Sequence, residues 1–175
     1  TYPLASLVHY EFPARGDMPA LKLHWYDGGM LPARPEELEE GRKLSDEDGI
    51  IFVGDKGKIL AEGWGAQSVR LIPETKMRAY KRPDKTLPRL ADGHYKEFVE
   101  ACKNGGPTGS NFDFASLVTE TALLGNVAIL TGKDRGWGSC LTREKLNWDG
   151  PNMKVTNVPE ANDHIHRQYR QGWTL

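Results

Sequence analysis

Two periods of hydrophobic and polar positions divide this chain into a strand-rich first part and a more helical later part. Apolar and polar residues alternate over Ser6–Phe12 and Ala20–Tyr26, with the period of two that is typical of strands. The short polar loop between them predicts an antiparallel pair. Further short strands are predicted over Ile50–Val53, Lys58–Ala61 and Ser68–Ile72, the first two joined by a hairpin turn.

The alternation sorts the side chains of the first two strands onto two faces. One face is expected to pack on helices and carries Val8, Tyr10, Phe12, Leu21, Leu23 and Trp25. The other mixes rings with charges and carries Leu7, His9, Glu11, Lys22, His24 and Tyr26. This second face favours an interface between two copies of the chain, and a solvated face with incidental aromatic residues is the simpler alternative.

The longest apolar stretch, Ser110–Gly132, predicts the helix around which the fold is built. Its apolar residues fall on more than one helical face, which predicts a helix that is buried on most sides. Asn111 or Asp113 is the expected N-cap, and Gly132 is the expected C′ glycine. The stretch is judged too short for a membrane span and is interrupted by polar residues. These are Thr119, Glu120, Thr121 and Asn126.

Shorter elements complete the predicted secondary structure. A helix is predicted from the N-cap Asp92 to Asn104, with Cys102 as a small buried hydrophobe on its apolar face. Another is predicted over Glu160–Arg170, and a short one over Glu36–Glu40 in the polar connector. A glycine-rich loop is predicted over residues 134–143.

Composition narrows the class of protein without naming a function. The 175 residues are 38% apolar and 27% charged, with a net charge of −1, which fits one soluble globular domain over residues 1–175. The balanced charge predicts neither a nucleic-acid partner nor a membrane. Because the chain begins at Thr1 and runs straight into a strand pattern, we expect it to be a piece of a longer protein.

Motifs that carry chemistry are scarce. The sequence has no GxGxxG, P-loop, CxxC, HExxH or GxSxG motif, so it predicts no catalytic, cofactor-binding or metal-ligating residue. Glu120 is a carboxylate inside the apolar helix and must be paired or neutralised. It either anchors a loop or backbone N–H, or it faces a cleft. His94 is either a surface or capping histidine or a polar group at the mouth of a cleft.

Four stretches of the sequence resemble the C-terminal domain of Gfo/Idh/MocA-type oxidoreductases, in the bacterial subgroup that is similar to NADH-dependent dehydrogenases. They are LKLHWYDGGMLPARPEEL (21–38), GIIFVGDKGKIL (49–60), SNFDFASLVTETALLGNVAILTGK (110–133) and LNWDGPNMKVTNVPEANDHIHRQYRQGW (146–173). They occur in the family's order and cover nearly the whole chain.

The resemblance implies an α+β fold, with an open, mostly antiparallel sheet and helices on one face. It also implies an N-terminal Rossmann domain that binds NAD or NADP and is absent from this chain. The family's catalytic lysine lies in a Glu-Lys-Pro-type motif of that domain, and its Asp and His lie in a GxxxDxxxH-type motif. Neither motif occurs here, and Lys81-Arg82-Pro83 does not match the first. This chain alone is therefore expected to be inactive and to bind no cofactor.

The full-length protein would, by this resemblance, transfer a hydride between the nicotinamide and a sugar or cyclitol hydroxyl. This chain would contribute one wall of the substrate cleft, and its expected partners are its own Rossmann domain and a second copy. The residues expected to line the cleft are Trp25, Tyr26, His94, Glu120 and Arg170. An NAD-dependent glycosidase of the same family and a stand-alone binding or assembly module are the alternatives. Cytoplasmic and periplasmic locations are both compatible with the sequence.

Overall fold

The computed structural model describes residues 2–63, 66–88, 90, 92–132 and 144–173, and the chain divides into two compact units. The strand unit is residues 5–88, and the helical unit is residues 1–4 together with 89–175. Helices and small antiparallel sheets make up both units, which confirms the α+β class. The expectation of one domain over the two units stays a prediction. The loop predicted over residues 134–143 lies outside the described residues.

A two-stranded hairpin begins the strand unit. Strands β1 (Leu7–Phe12) and β2 (Leu21–Tyr26) pair antiparallel, with Val8 opposite Trp25. Because directly opposed residues share a face, this register confirms the predicted pair and both of its predicted faces. Each residue of a predicted face lies opposite another residue of that same face.

The open end of the hairpin is held by one carboxylate. Asp27 accepts hydrogen bonds from the backbone N–H of Ser6 at 2.7 Å and from the Ser6 hydroxyl at 2.9 Å. The face that was expected to pack on helices remains largely accessible, since Leu21 and Trp25 are 60% and 51% exposed. For these two side chains the expected burial is wrong.

A three-stranded antiparallel meander follows in the order β3 (Gly49–Gly54), β4 (Gly57–Glu62) and β5 (Ser68–Ile72). Helix α1 (Glu74–Ala79) continues from its last strand. The three predicted strands are confirmed to within a residue at each end. The core of this unit is formed by Leu38, Leu60 and Ile72, with Leu44 and Ile51 packed against them.

The polar connector before the meander forms turns instead of the helix predicted over Glu36–Glu40. Its Arg34 guanidinium satisfies backbone carbonyl groups that a helix would otherwise pair. The acceptors are the oxygens of Pro35, Leu38, Glu39 and Arg42, at 2.6–3.3 Å. A guanidinium carries five N–H donors in one plane, so a single side chain can fold the connector around itself and bring Leu38 into the core.

The helical unit contains α2 (Gly93–Asn104), α3 (Phe112–Thr131) and a 3-10 helix (Pro159–His164). Two very short strands, β6 (Trp148–Asp149) and β7 (Lys154–Val155), pair antiparallel. In the part of the chain that the structure describes, the strands thus form three small sheets. The buried core of this unit is Val127, Val155, Val158 and Ala161.

The helix predicted over Glu160–Arg170 is wrong in type and in length. The side chain of Asn162 accepts from the Val155 N–H at 2.9 Å and donates to the Val155 and Pro159 carbonyls at 3.0 Å. Side-chain amides that bond to nearby backbone compete with α-helical hydrogen bonds. The segment therefore stays a short 3-10 helix that is fastened to β7.

The bounds of α3 follow the prediction closely, but its burial does not. Asn111 is the N-cap and accepts from the Phe114 N–H at 3.2 Å, whereas Gly132 ends the helix at φ −59° and is not a left-handed C′ glycine. Among the residues of α3 only Gly125 and Val127 are buried. The expected burial on most sides is therefore wrong, because the described elements of this unit that pack on α3, the 3-10 helix and the short strands β6 and β7, cover only part of its surface.

Helix α2 is likewise open on its apolar face. Asp92 stands at the N-cap position, but its carboxylate pairs with Lys96 at 2.8 Å and caps no backbone N–H. Gly105 ends the helix at φ +72°, as glycine does at many helix ends. Tyr95 is 80% exposed and Cys102 is exposed, so the predicted burial of Cys102 is wrong.

Candidate functional site

Glu120 is the centre of the candidate site in the helical unit. It lies halfway along α3, and its carboxylate Oε1 accepts from the indole Nε1–H of Trp148 at 2.6 Å. Both side chains are half-buried. The β6–β7 turn comes close to the same carboxylate, since a Cβ on Gly150 would lie 3.4 Å from Oε1. Glu120 thus anchors a loop, as one of its two predicted roles required.

The second predicted role of Glu120, a position in a cleft, also fits the geometry. A groove of about 280 Å³ runs along α3 beside the 3-10 helix. It is lined by Tyr2, Glu120, Leu123, Leu124, Asn126, Val127, Leu130, Trp148, Met153, His164 and Ile165. Apolar side chains form most of its wall, and a few polar groups interrupt them, which is the usual composition of small-molecule sites.

The groove can bind a ligand that has both apolar and hydroxyl surfaces. A carboxylate has about four acceptor sites, and one contact to Trp148 leaves Glu120 able to accept from a ligand hydroxyl. Trp148 offers an apolar ring face, and His164 offers an imidazole that can donate or accept. This arrangement of one carboxylate, one indole and one imidazole in an apolar wall is suited to binding and orienting such a ligand.

Only one of the five predicted cleft residues lines this groove. His94 lies in the first turn of α2 with its ring 4.2 Å from that of Tyr95. Arg170 lies over the ring of Trp173 at 4.5 Å. Neither residue is among those that line the groove, so their place in a substrate cleft stays a prediction.

Trp25 and Tyr26 belong to the strand unit. They are consecutive on β2, so their side chains point to opposite faces of the hairpin. They therefore cannot form one wall together. Sequence reasoning missed Trp148 and His164, although a carboxylate inside an apolar helix does require a donor such as an indole N–H.

Two carboxylates of the strand unit are the clearest electrostatic features outside the groove. The Lys58 ammonium, which donates to Glu37 at 2.7 Å, lowers the pKa of the Glu37 carboxyl. Hydrogen bonds from its own backbone N–H and from that of Glu74, together with the nearby Arg70, lower the pKa of Glu39. These groups fasten the connector to β4, β5 and α1 and belong to the scaffold.

Comparison with known proteins leaves the site to be interpreted from its geometry. No protein-family model matches the chain, and no curated protein is similar to it.

Proposed function

We propose that this chain is the substrate-binding and oligomerisation part of an NAD(P)-dependent oxidoreductase of the Gfo/Idh/MocA type. The substrate class is a sugar or a cyclitol, whose hydroxyl carbon exchanges a hydride with the nicotinamide. The observation that carries the proposal is the Glu120 carboxylate, held by Trp148 in an apolar groove. The four stretches of resembling sequence support it and give the family.

The groove suits a polyhydroxylated ring. Glu120 accepts a hydrogen bond from a ring hydroxyl, and this charge-assisted bond fixes the orientation of the ring. The C–H face of the ring packs on Trp148 and on the aliphatic side chains of Leu123 and Met153. The proton-transfer groups of the reaction belong to the part of the longer protein that carries the lysine and the Asp/His pair.

The nicotinamide cofactor does not fit the residues described here. Dinucleotide sites hold the pyrophosphate on a glycine-rich turn that runs from a strand into the N-terminus of a helix. The Gly54–Gly57 turn has glycines, but it connects β3 to β4 as a hairpin. We therefore assign NAD or NADP to the Rossmann domain and derive no step of the reaction through it.

The exposed apolar surface of α3 calls for a covering partner. By length and composition alone, this 20-residue helix could cross a membrane, so the prediction that it is too short is wrong. A bilayer would also have to accept Glu120, at about 2.5–3.5 kcal/mol for a charged side chain at a helix centre. It would also have to accept the 3-10 helix that packs on α3. We propose a protein surface, the Rossmann domain, as the cover.

Ligand titration tests the proposed substrate class. Myo-inositol and glucose are titrated into the chain and followed by saturation-transfer NMR, and saturable millimolar binding is expected. Glu120→Gln keeps the shape of the side chain and removes its charge, so it is expected to weaken binding about tenfold. Asp113→Asn, in the first turn of the same helix and outside the groove, is the matched control and should bind as the wild type does.

Two outcomes contradict the proposal. If neither polyol binds, or if Asp113→Asn weakens binding as much as Glu120→Gln, the groove is not a site for polyols.

The sequence of the gene upstream of Thr1 distinguishes an enzyme from a stand-alone module. An in-frame strand, glycine-rich turn and helix encoded before Thr1 is expected, and a start codon immediately before Thr1 would favour the module.

A further inference from the structure

A pair of facing histidines stands on the hairpin of the strand unit, apart from the groove. His9 and His24 occupy directly opposite positions of β1 and β2. Their Nδ1 atoms are 2.5 Å apart, and their rings meet edge to face with centroids 4.7 Å apart. Both side chains are exposed in the single chain, so an ion from solvent can reach them before a second copy covers this face.

We infer that His9 and His24 form a two-imidazole chelate for a divalent transition-metal ion of tetragonal geometry, such as Cu²⁺ or Ni²⁺. A short Nδ1–Nδ1 contact requires one nitrogen to donate its proton to the lone pair of the other. When each ring instead carries its proton on Nε2, both Nδ1 lone pairs face the gap between the rings, and rotation of the rings can turn them toward one ion. Two neutral imidazole nitrogens that converge in this way are good ligands for Cu²⁺ and Ni²⁺.

The distance between the two nitrogens selects the kind of ion. With metal–nitrogen bonds of about 2.0–2.1 Å, two ligands at 90° stand about 2.9 Å apart, and two tetrahedral ligands about 3.3 Å. With the nitrogens 2.5 Å and the ring centroids 4.7 Å apart, the two Nδ1 atoms face each other almost head-on. Both rings must therefore rotate, and the nitrogens must separate by about 0.4 Å, to reach the first spacing. Cu²⁺ also heads the Irving–Williams order.

The surroundings keep the pair in place and leave the ion accessible. Asp27 closes the open end of the hairpin through Ser6, which helps fix the register that opposes the two rings. Glu11 and Lys22 lie directly opposite each other on the same face, two residues from the pair, so one negative and one positive charge stand near the ion. Among the described residues no group of three or more His, Cys, Asp or Glu side chains converges on a metal position, so water completes the coordination.

Copper titration tests the chelate directly on this chain. Cu²⁺ is added at neutral pH and followed by visible absorption and electron paramagnetic resonance, and the wild type is expected to bind one ion with two imidazole nitrogens. His9→Gln and His24→Gln should each weaken binding at least about tenfold, because the second ligand of a chelate binds intramolecularly. His166→Gln removes another exposed histidine and should leave the affinity unchanged.

Three results would overturn the inference. They are a wild type that binds no Cu²⁺ below millimolar concentration, a His24→Gln variant that binds as tightly as the wild type, and a His166→Gln variant that is weakened equally. Circular dichroism of each variant, compared with the wild type, verifies that the hairpin is folded. The inference does not rest on the proposed oxidoreductase function, since the pair needs neither the groove nor a cofactor.

Discussion

Single polar side chains hold the irregular segments of this chain in place. Arg34 donates hydrogen bonds to four backbone carbonyls of the connector. Asp27 bonds across the open end of the hairpin, and Asn162 bonds the 3-10 helix to β7. A buried or half-buried backbone group without a partner costs about 1–3 kcal/mol. These side chains therefore do in loops what regular hydrogen bonding does in helices and sheets.

Glu39 makes the stability of the strand unit depend on pH. Its pKa is lowered by hydrogen bonds from its own N–H and from that of Glu74 and by Arg70, so folding favours its ionised form. Its contribution is complete above the carboxyl's ordinary pKa and is lost as the pH falls through the lowered, folded value. The melting temperature should therefore fall as the pH is lowered below the ordinary glutamate pKa of about 4.3, and less steeply in Glu39→Gln.

Glu40→Gln is the matched control for this pH dependence, because Glu40 is the exposed neighbour. It should keep the wild-type slope of melting temperature against pH. A Glu39→Gln variant with the wild-type slope would show that Glu39 does not supply the pH dependence.

The sequence predicted that Glu120 needs a partner but could not name it. The donor, Trp148, lies 28 residues further along the chain, and no local pattern connects the two. His9 and His24 were correctly predicted to share a face, because the period of two in a strand is a local property. Their Nδ1 contact depends on the register and on ring rotation, which the alternation does not specify.

Among the elements, the helix α3 separates what a hydrophobic pattern can predict from what it cannot. The pattern and the N-cap residue gave bounds within two residues of Phe112–Thr131, because both signals lie inside the segment. Burial depends on what stands next to the helix, which the pattern does not contain. The prediction of the final helix failed for a similar reason, since the Asn162 side chain bonds to β7 as well as within its own turn.

Gly125 is the position on α3 that should tolerate no added side chain. It is buried, so Gly125→Leu is expected to overpack its surroundings and cost roughly 1–3 kcal/mol of unfolding free energy. Gly125→Ala is the control, because alanine at an uncrowded helix position would stabilise by about 0.4–1 kcal/mol. Thermal melts of both variants show whether neighbouring atoms crowd Gly125. If both melt at or above the wild-type temperature, Gly125 has free space around it.

Large apolar side chains are exposed on several described elements of the molecule. They lie on α2, on α3 and on the hairpin of β1 and β2. Large exposed apolar areas mark surfaces that bind partners, in agreement with the proposed Rossmann domain and second copy.

Self-association through the mixed face of the hairpin is the prediction at this scale. A two-fold contact is self-complementary, so His9, His24 and Tyr26 would meet their own copies or near neighbours. Light scattering at tens of micromolar should give the mass of a dimer or a dimer of dimers. The double variant His24→Glu, Tyr26→Glu should be monomeric, because two like charges per chain would face each other. A monomeric wild type would exclude this interface for the chain alone.

The lining of the groove carries a consequence for the order of folding during synthesis. Tyr2 lines the groove together with Leu130, Trp148 and Ile165, and the whole strand unit lies between them in the chain. The meander and hairpin pair neighbouring segments, and contacts of this local kind form quickly. On a ribosome the strand unit can therefore fold before the partners of Tyr2 have been synthesised, and the groove is completed only after the chain has emerged past Ile165.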